Sequence, residues 1–201
     1  MALSTPRLVL RPFTPGDVDD LLSMDGDARV MRYIGTGLGP RTRDEVTASI
    51  GRIVAFAAEH PGMSLLHAST RDEGRFVGGC GLFPLPEGGD VEIAYRLPFD
   101  CWGRGYATEA ARAVLAHGFA TLALARIVGV TFPDNAASQQ VLRKIGMRED
   151  GQAEHYGRTM QMFVADANLS SETHCMLLNA SYVAMCHLIL RVDRHRERFD
   201  R

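Results

Sequence analysis

Apolar and polar positions repeat along this chain at two periods, and the switches between them outline its elements. "RLVLRPF" (7–13) alternates apolar with basic residues, the two-residue period of a half-buried strand. Thr14, Pro15 and Asp17 then supply a helix start ahead of "VDDLLSM". After a Gly-rich loop, "IGTGLGP" (34–40), Val46, Ile50, Ile53, Val54 and Phe56 recur near helical spacing until His60-Pro61-Gly62 breaks the run. "SLLHAST" and "RFVGGCGLF" are β-prone runs parted by Arg71-Asp72-Glu73-Gly74, which predicts a hairpin. "PLPEGG" predicts another turn and "DVEIAYRL" (90–97) the third strand of a meander. From there the pattern becomes helix (Tyr106 to about Phe119), strand ("RIVGVTF", 126–132) and helix (Asn135 to Ile145). The expected fold is mixed α/β.

Composition narrows the function classes. The 201 residues, 46% hydrophobic and 23% charged, suit one compact domain with a proper core. A formal net charge of -2 leaves no basic footprint for nucleic acid and no polybasic arm for a membrane surface. "MALSTPRLVLRPF" carries too short an apolar run for a signal-peptide core, so a cytoplasmic protein is expected. Cys80, Cys101, Cys175 and Cys186 show no CxxC spacing, which favours reduced thiols over bridges or zinc; no metal site is expected.

One short stretch carries chemistry. "WGRGYATEA" (102–110) lies between the strand ending at Leu97 and the helix "YATEAARAVLAHGFA", rich in strong helix formers. It delivers backbone N–H groups and the positive end of a helix dipole to one place, and glycines let a ligand approach the backbone. Gly103, Gly105, Ala107 and Thr108 are therefore candidates for a phosphate cradle, with charge from Arg104 and a hydroxyl from Thr108. The plainer reading is a tight strand-to-helix turn. The string is neither GxxxxGK[ST] nor GxGxxG, which argues against a Walker loop or a dinucleotide fingerprint.

The strand, "LPFDCWGRGYATEA", and "TFPDNAASQQVLRKIGM" about twenty-five residues on together resemble the GNAT superfamily of acetyl-CoA-dependent N-acetyltransferases. With the opening "TPRLVLRPFTPGDVDDLL", the chain looks most like the branch holding the ribosomal-protein N-terminal alanine and serine acetyltransferases; the resemblance spans residues 5 to about 166. It implies a mostly antiparallel twisted sheet, flanked by helices and splayed between strands 90–97 and 126–132, with the pantetheine arm of acetyl-CoA in the gap. Tyr95 and Leu97 would then contact the arm through their backbones, and Trp102, Gly103, Arg104, Gly105, Tyr106, Ala107 and Thr108 would hold the pyrophosphate. Trp102 departs from the Gln or Arg that usually opens the family's motif. Asn135 would bond the arm, Ser138 would lie beside the thioester sulfur, and Lys144 would approach the coenzyme's phosphates or adenine. Many members carry a tyrosine seven residues after that asparagine as general acid; here Leu142 stands there, and Ser138 matches a serine used in the ribosomal branch.

Within this frame Glu92 is the candidate general base and Ser138 the proton donor. Strand alternation puts Glu92 on one face with Ala94 and Arg96, and Ile93 with Tyr95 on the other. The competing reading is a solvated glutamate paired with Arg96 or a nearby arginine. Cys101 is expected to pack as a small hydrophobe, His117 to sit favourably at a helix C-terminus, and His155 and Tyr156 are candidates to line an amine pocket. The acceptor, a peptide N-terminus or a small amine, would be chosen by loops 25–62 and 148–160. A catalytically silent coenzyme-binding module is the alternative function. Residues 167–201 form an extension outside the resemblance, with an apolar helical pattern suited to self-association, hence a possible homodimer, or to covering a pocket.

Overall fold

A computed structural model describes residues 2–34, 39–86 and 89–167. Its strands are β1 (Leu3–Ser4), β2 (Leu8–Pro12), β3 (Leu65–Thr70), β4 (Phe76–Pro84), β5 (Val91–Arg96), β6 (Arg126–Thr131), β7 (Arg148–His155) and β8 (Arg158–Asp166). They form a sheet in the order β1-β2-β3-β4-β5-β6-β8-β7. The helices are α1 (Val18–Asp25), α2 (Ala28–Met31), α3 (Arg43–Glu59), α4 (Tyr106–Ala120) and α5 (Ala136–Lys144). All belong to one compact unit, Met1–Asp166. Among the described residues no helix is long and apolar enough to cross a membrane. The expected docking helix, with Cys175 and Cys186, lies outside the described residues.

Local chemistry explains most boundaries. Thr42 and Glu45 form a reciprocal capping box at the start of α3, and His60 closes its end by donating to the Phe56 carbonyl. Thr14 and Asp17 do the same ahead of α1, and Arg11 of β2 adds two charged hydrogen bonds to Asp17 at 2.7 and 2.8 Å. The Arg11 guanidinium, against the cost of burial, holds the Asp17 carboxyl far below the usual carboxylate range.

Two apolar layers sandwich the sheet. On one face Ile93, Ile127 and Phe163 pack with Ala111, Val114 and Leu142 of α4 and α5. On the other Phe13, Leu65 and Phe76 pack with Leu21, Met24, Val46 and Ile50 of α1 and α3. Cys80 and Cys101 are both buried and free, and burial pushes both thiols up, so they pack as the sequence suggests. His117 is buried at the end of α4 with Nε2 at 3.2 Å from the Gly62 carbonyl.

Every strand pair is antiparallel except β5 with β6, which run parallel and share one register pair, Glu92 with Val128. The two strands therefore part toward their C-terminal ends, as the resemblance implied. Three elements lie beyond the sequence reading: the two-residue β1, the single-turn α2 and β7, which joins β8 through a turn at Tyr156 and Gly157, both at positive φ (55° and 69°).

Candidate functional site

The parting of β5 from β6 opens a slot whose lips are the loop before α4 and the N-terminus of α5. Gly103 and Gly105 take left-handed φ values of 73° and 80°, which a side chain would resist. Among the described residues a Cβ on Gly103 would meet nothing within 4 Å, and one on Gly105 only Arg7 Nη2 at 3.4 Å. Among the described residues no backbone amide from 103 to 108 has a backbone acceptor; the first to find one is that of Glu109, on the Gly105 carbonyl at 3.1 Å. Gly103, Arg104, Gly105, Tyr106, Ala107 and Thr108 thus present a ring of unspent donors at a helix N-terminus, the physical requirement for holding a pyrophosphate.

Arg7 braces this loop from behind, a role the sequence reading did not assign. Its Nε donates to Glu109 Oε2 at 2.6 Å and its Nη1 to the Arg104 carbonyl at 3.1 Å, while its guanidinium lies 4.8 Å from the Tyr106 ring centroid. Thr5 adds a hydrogen bond to Glu109 at 2.6 Å. These partners occupy the one carboxylate in the first turn of α4, which would otherwise repel an anion there.

Trp102 does not turn toward the cradle donors. Its indole N–H donates to the Leu97 carbonyl at 2.9 Å, and its ring packs at 5.1 Å from that of Phe99, with both side chains partly exposed. Leu97, expected to offer its backbone to the pantetheine arm, has its carbonyl engaged in this way; its side chain is buried in the core.

Deeper in the slot Glu92 is 7% exposed. It is not the solvated partner of an arginine: the Tyr156 hydroxyl donates to Glu92 Oε2, and Arg96 turns instead to Asp25. Burial raises the Glu92 carboxyl to about 7, against the pull of the Tyr156 hydrogen bond. At the other lip Asn135 caps α5, its Oδ1 accepting from the Ser138 N–H at 3.1 Å, which leaves the Asn135 amide NH₂ for a ligand. Ser138 also meets the Tyr95 hydroxyl, at 3.0 Å from its Oγ. Leu142 is 1% exposed beneath β6, where it fills the space that a side chain on Gly129 would need. Lys144 ends α5, and its carbonyl accepts from Arg112 at 2.7 Å.

With this geometry in place, the sequence matches a known family: the acetyltransferase (GNAT) domain covers residues 7–148. The chain belongs to the GNAT acetyltransferase family. It is 30% identical over 157 residues, covering 77% of this chain and 86% of the relative, to the uncharacterized N-acetyltransferase YoaA of Bacillus subtilis. Among solved structures, Mycobacterium smegmatis RimJ in complex with a CoA-disulfide superposes with a TM-score of 0.69 at 23% identity, covering 90% of this chain and 93% of that one. The ribosomal-protein-S5-alanine acetyltransferase of Vibrio fischeri gives 0.68 at 13% identity, covering 84% and 98%. The last two likenesses show the fold. Membership makes the chain an acetyl-CoA-dependent N-acetyltransferase.

In this GNAT domain the two segments expected to choose the acceptor both meet the end of β6 and the loop after it. Tyr33, after α2, lies with its ring 5.8 Å from Phe132, after β6; Arg158 of β8 covers Phe132 at 5.5 Å. Arg32 and Tyr33 also reach Asp134 at 3.3 and 3.4 Å, so the segment after α2 meets the β6–α5 loop directly. Tyr156 supplies the contact to Glu92 itself. Replacing Tyr156 by phenylalanine removes a hydrogen bond that opposes burial, so the Glu92 carboxyl should rise above 7. Titration of a ¹³C-labelled carboxyl should show that upward shift; a downward shift or none would separate Tyr156 from Glu92.

Proposed function

We propose that this GNAT domain moves an acetyl group from acetyl-CoA to a primary amine, either a peptide N-terminal α-amine or a small-molecule amine, by direct attack on the thioester. In this reading the amides of residues 103–108 and the side chains of Arg104 and Thr108 bind the pyrophosphate. Tyr95, Leu97 and the Asn135 NH₂ line the arm, and Lys144 and the outer face of Trp102 flank the coenzyme's far end. Glu92 takes the proton from the attacking nitrogen, directly or through one water, as the N–C bond forms. Ser138 faces the sulfur as the C–S bond breaks. The observation that carries the proposal is Glu92 itself: a strand carboxylate buried at the base of the slot and poised near 7, where a general base works best at physiological pH.

The aromatic and basic cluster of Tyr33, Phe132 and Arg158, built from the segments expected to choose the acceptor, supports an acceptor with an extended or anionic body behind its amine, which suits a peptide better than a polycation. The test is coenzyme A thiol release from acetyl-CoA in the presence of N-terminal peptides, aminoglycosides and polyamines, with coenzyme binding measured alongside. Release that depends on a peptide amine is expected. Release with polycations alone would reassign the acceptor class, binding without release would favour a silent coenzyme-binding module, and absent binding would remove residues 102–108 from the site.

A further inference from the structure

Tyr95 entered the site only through its backbone, yet its side chain makes a polar contact across the slot. The residue lies on β5 on the face shared with Ile93, its ring packed against the α4–α5 core. Its hydroxyl reaches across to the first turn of α5, 2.9 Å from the Ser138 carbonyl oxygen and 3.0 Å from Ser138 Oγ. The phenol has one hydrogen and two acceptors within reach. If it donates to the carbonyl, the serine hydroxyl can donate back to the phenol oxygen. If it donates to Oγ, the serine hydrogen is released toward the slot, and the two hydroxyls become a chain in which each polarises the next.

We infer that Tyr95 is a positioning residue for the departing sulfur: its hydroxyl holds Ser138 and, as charge builds on the sulfur, turns to donate to Ser138 Oγ so that the serine's own hydrogen is aimed at that charge. The inference rests on the placement of Ser138 beside the sulfur. Atoms and protons balance without ionising either hydroxyl. The N–C bond forms, the C–S bond breaks with its electron pair passing to sulfur, and the proton lost by nitrogen goes to Glu92. The thiolate leaves with a hydrogen bond from Ser138 and is protonated by solvent after release. Tyr95 keeps its proton throughout, because burial pushes its hydroxyl well above the ordinary phenol range. The same arrangement accounts for Leu142: with that position spent on the core, the tyrosine hydroxyl of this slot comes from the strand below instead of from the helix.

The experiment compares Tyr95→Phe, Ser138→Ala and the double variant with the unaltered protein, using acetyl-CoA and the best acceptor. Tyr95→Phe keeps the ring and should keep the fold, checked by a cooperative transition with a Tm within a few degrees of the unaltered protein. Losing one donor that strengthens in the transition state should lower kcat about tenfold with the KM for acetyl-CoA nearly unchanged. Ser138→Ala should lose at least as much, and the double variant no more than the slower single, because both act through one hydrogen bond to sulfur. The pH limb near 7 should stay in place in all three, since it belongs to Glu92. A slow Ser138→Ala beside a Tyr95→Phe at full rate would overturn the role of Tyr95 alone, as would losses that multiply or that fall on KM. A Ser138→Ala at full rate would overturn the placement of Ser138, and this inference with it.

Discussion

Glu92→Gln is expected to lower kcat/KM by about two to four orders of magnitude while leaving coenzyme binding intact, the loss typical of a positioned general base. Glutamine keeps the shape and can still accept the Tyr156 hydroxyl, so the loss would report proton removal alone. In the unaltered enzyme the rate should rise with pH through about 7, because the carboxylate is the working form. In the glutamine variant that limb should vanish. Full activity with the limb intact would place the base elsewhere.

The same substitution should move stability the other way. Burial raises the Glu92 carboxyl from its ordinary 4.5 to about 7, so the fold favours the neutral acid. Below the unfolded value that preference costs nothing; as pH rises through the folded value, ionising a buried group withdraws about 3 kcal/mol of stability. A neutral glutamine escapes this, and Glu92→Gln should therefore unfold at higher denaturant concentration than the unaltered chain above pH 7, with the gap closing toward pH 5. A group that gains activity at the expense of stability is what a working site holds.

How far the sequence announced this site depends on the range of each interaction. The cradle was legible because its physics is local: two glycines before a strong helix imply positive φ and free amides, and both occur. The Asn135 cap was equally local. Glu92 was found by its place on a strand, but its partner was not. Arg96 shares its face, yet four residues of extended chain at about 3.3 Å each put it about 13 Å away. Tyr156 is 64 residues distant in sequence and follows a strand that leaves no periodic trace, since "REDGQAEH" is exposed almost throughout and shows no apolar alternation. Arg7 on Glu109 and Tyr95 on Ser138 are likewise contacts between distant segments, 102 and 43 residues apart, that only the sheet order brings together. The short β1 and α2 fall below the length at which periodicity can be read.

The largest stability effect should come from Asp25, the last residue of α1. Its side chain is 0% exposed, with Arg96 Nε of β5 at 3.4 Å and Arg41 Nη1, ahead of α3, at 3.5 Å. The Asp25 carbonyl also accepts the Arg41 N–H at 2.9 Å, so one residue ties α1 to the slot strand and to the segment that starts α3. Burial pushes the Asp25 carboxyl up and works against the charge on Arg96, while each partner pulls the other back. Neither carboxylate oxygen has a well-aligned hydrogen bond, so the cluster is held by charge compensation. Asp25→Ala leaves the buried guanidinium of Arg96 without its counter-charge, and should destabilise the domain by about 3–5 kcal/mol. Adding Arg96→Met, which removes the stranded charge and restores apolar volume, should recover most of that loss. Urea unfolding at pH 7 measures both steps. A single variant within about 1 kcal/mol of the unaltered chain, in the range of an exposed ion pair, would mean that water already solvates the cluster. Because Arg96 follows Tyr95 directly, Asp25→Ala should also raise the KM for acetyl-CoA, whereas the double variant, stable but without the guanidinium, separates loss of fold from loss of the slot's alignment.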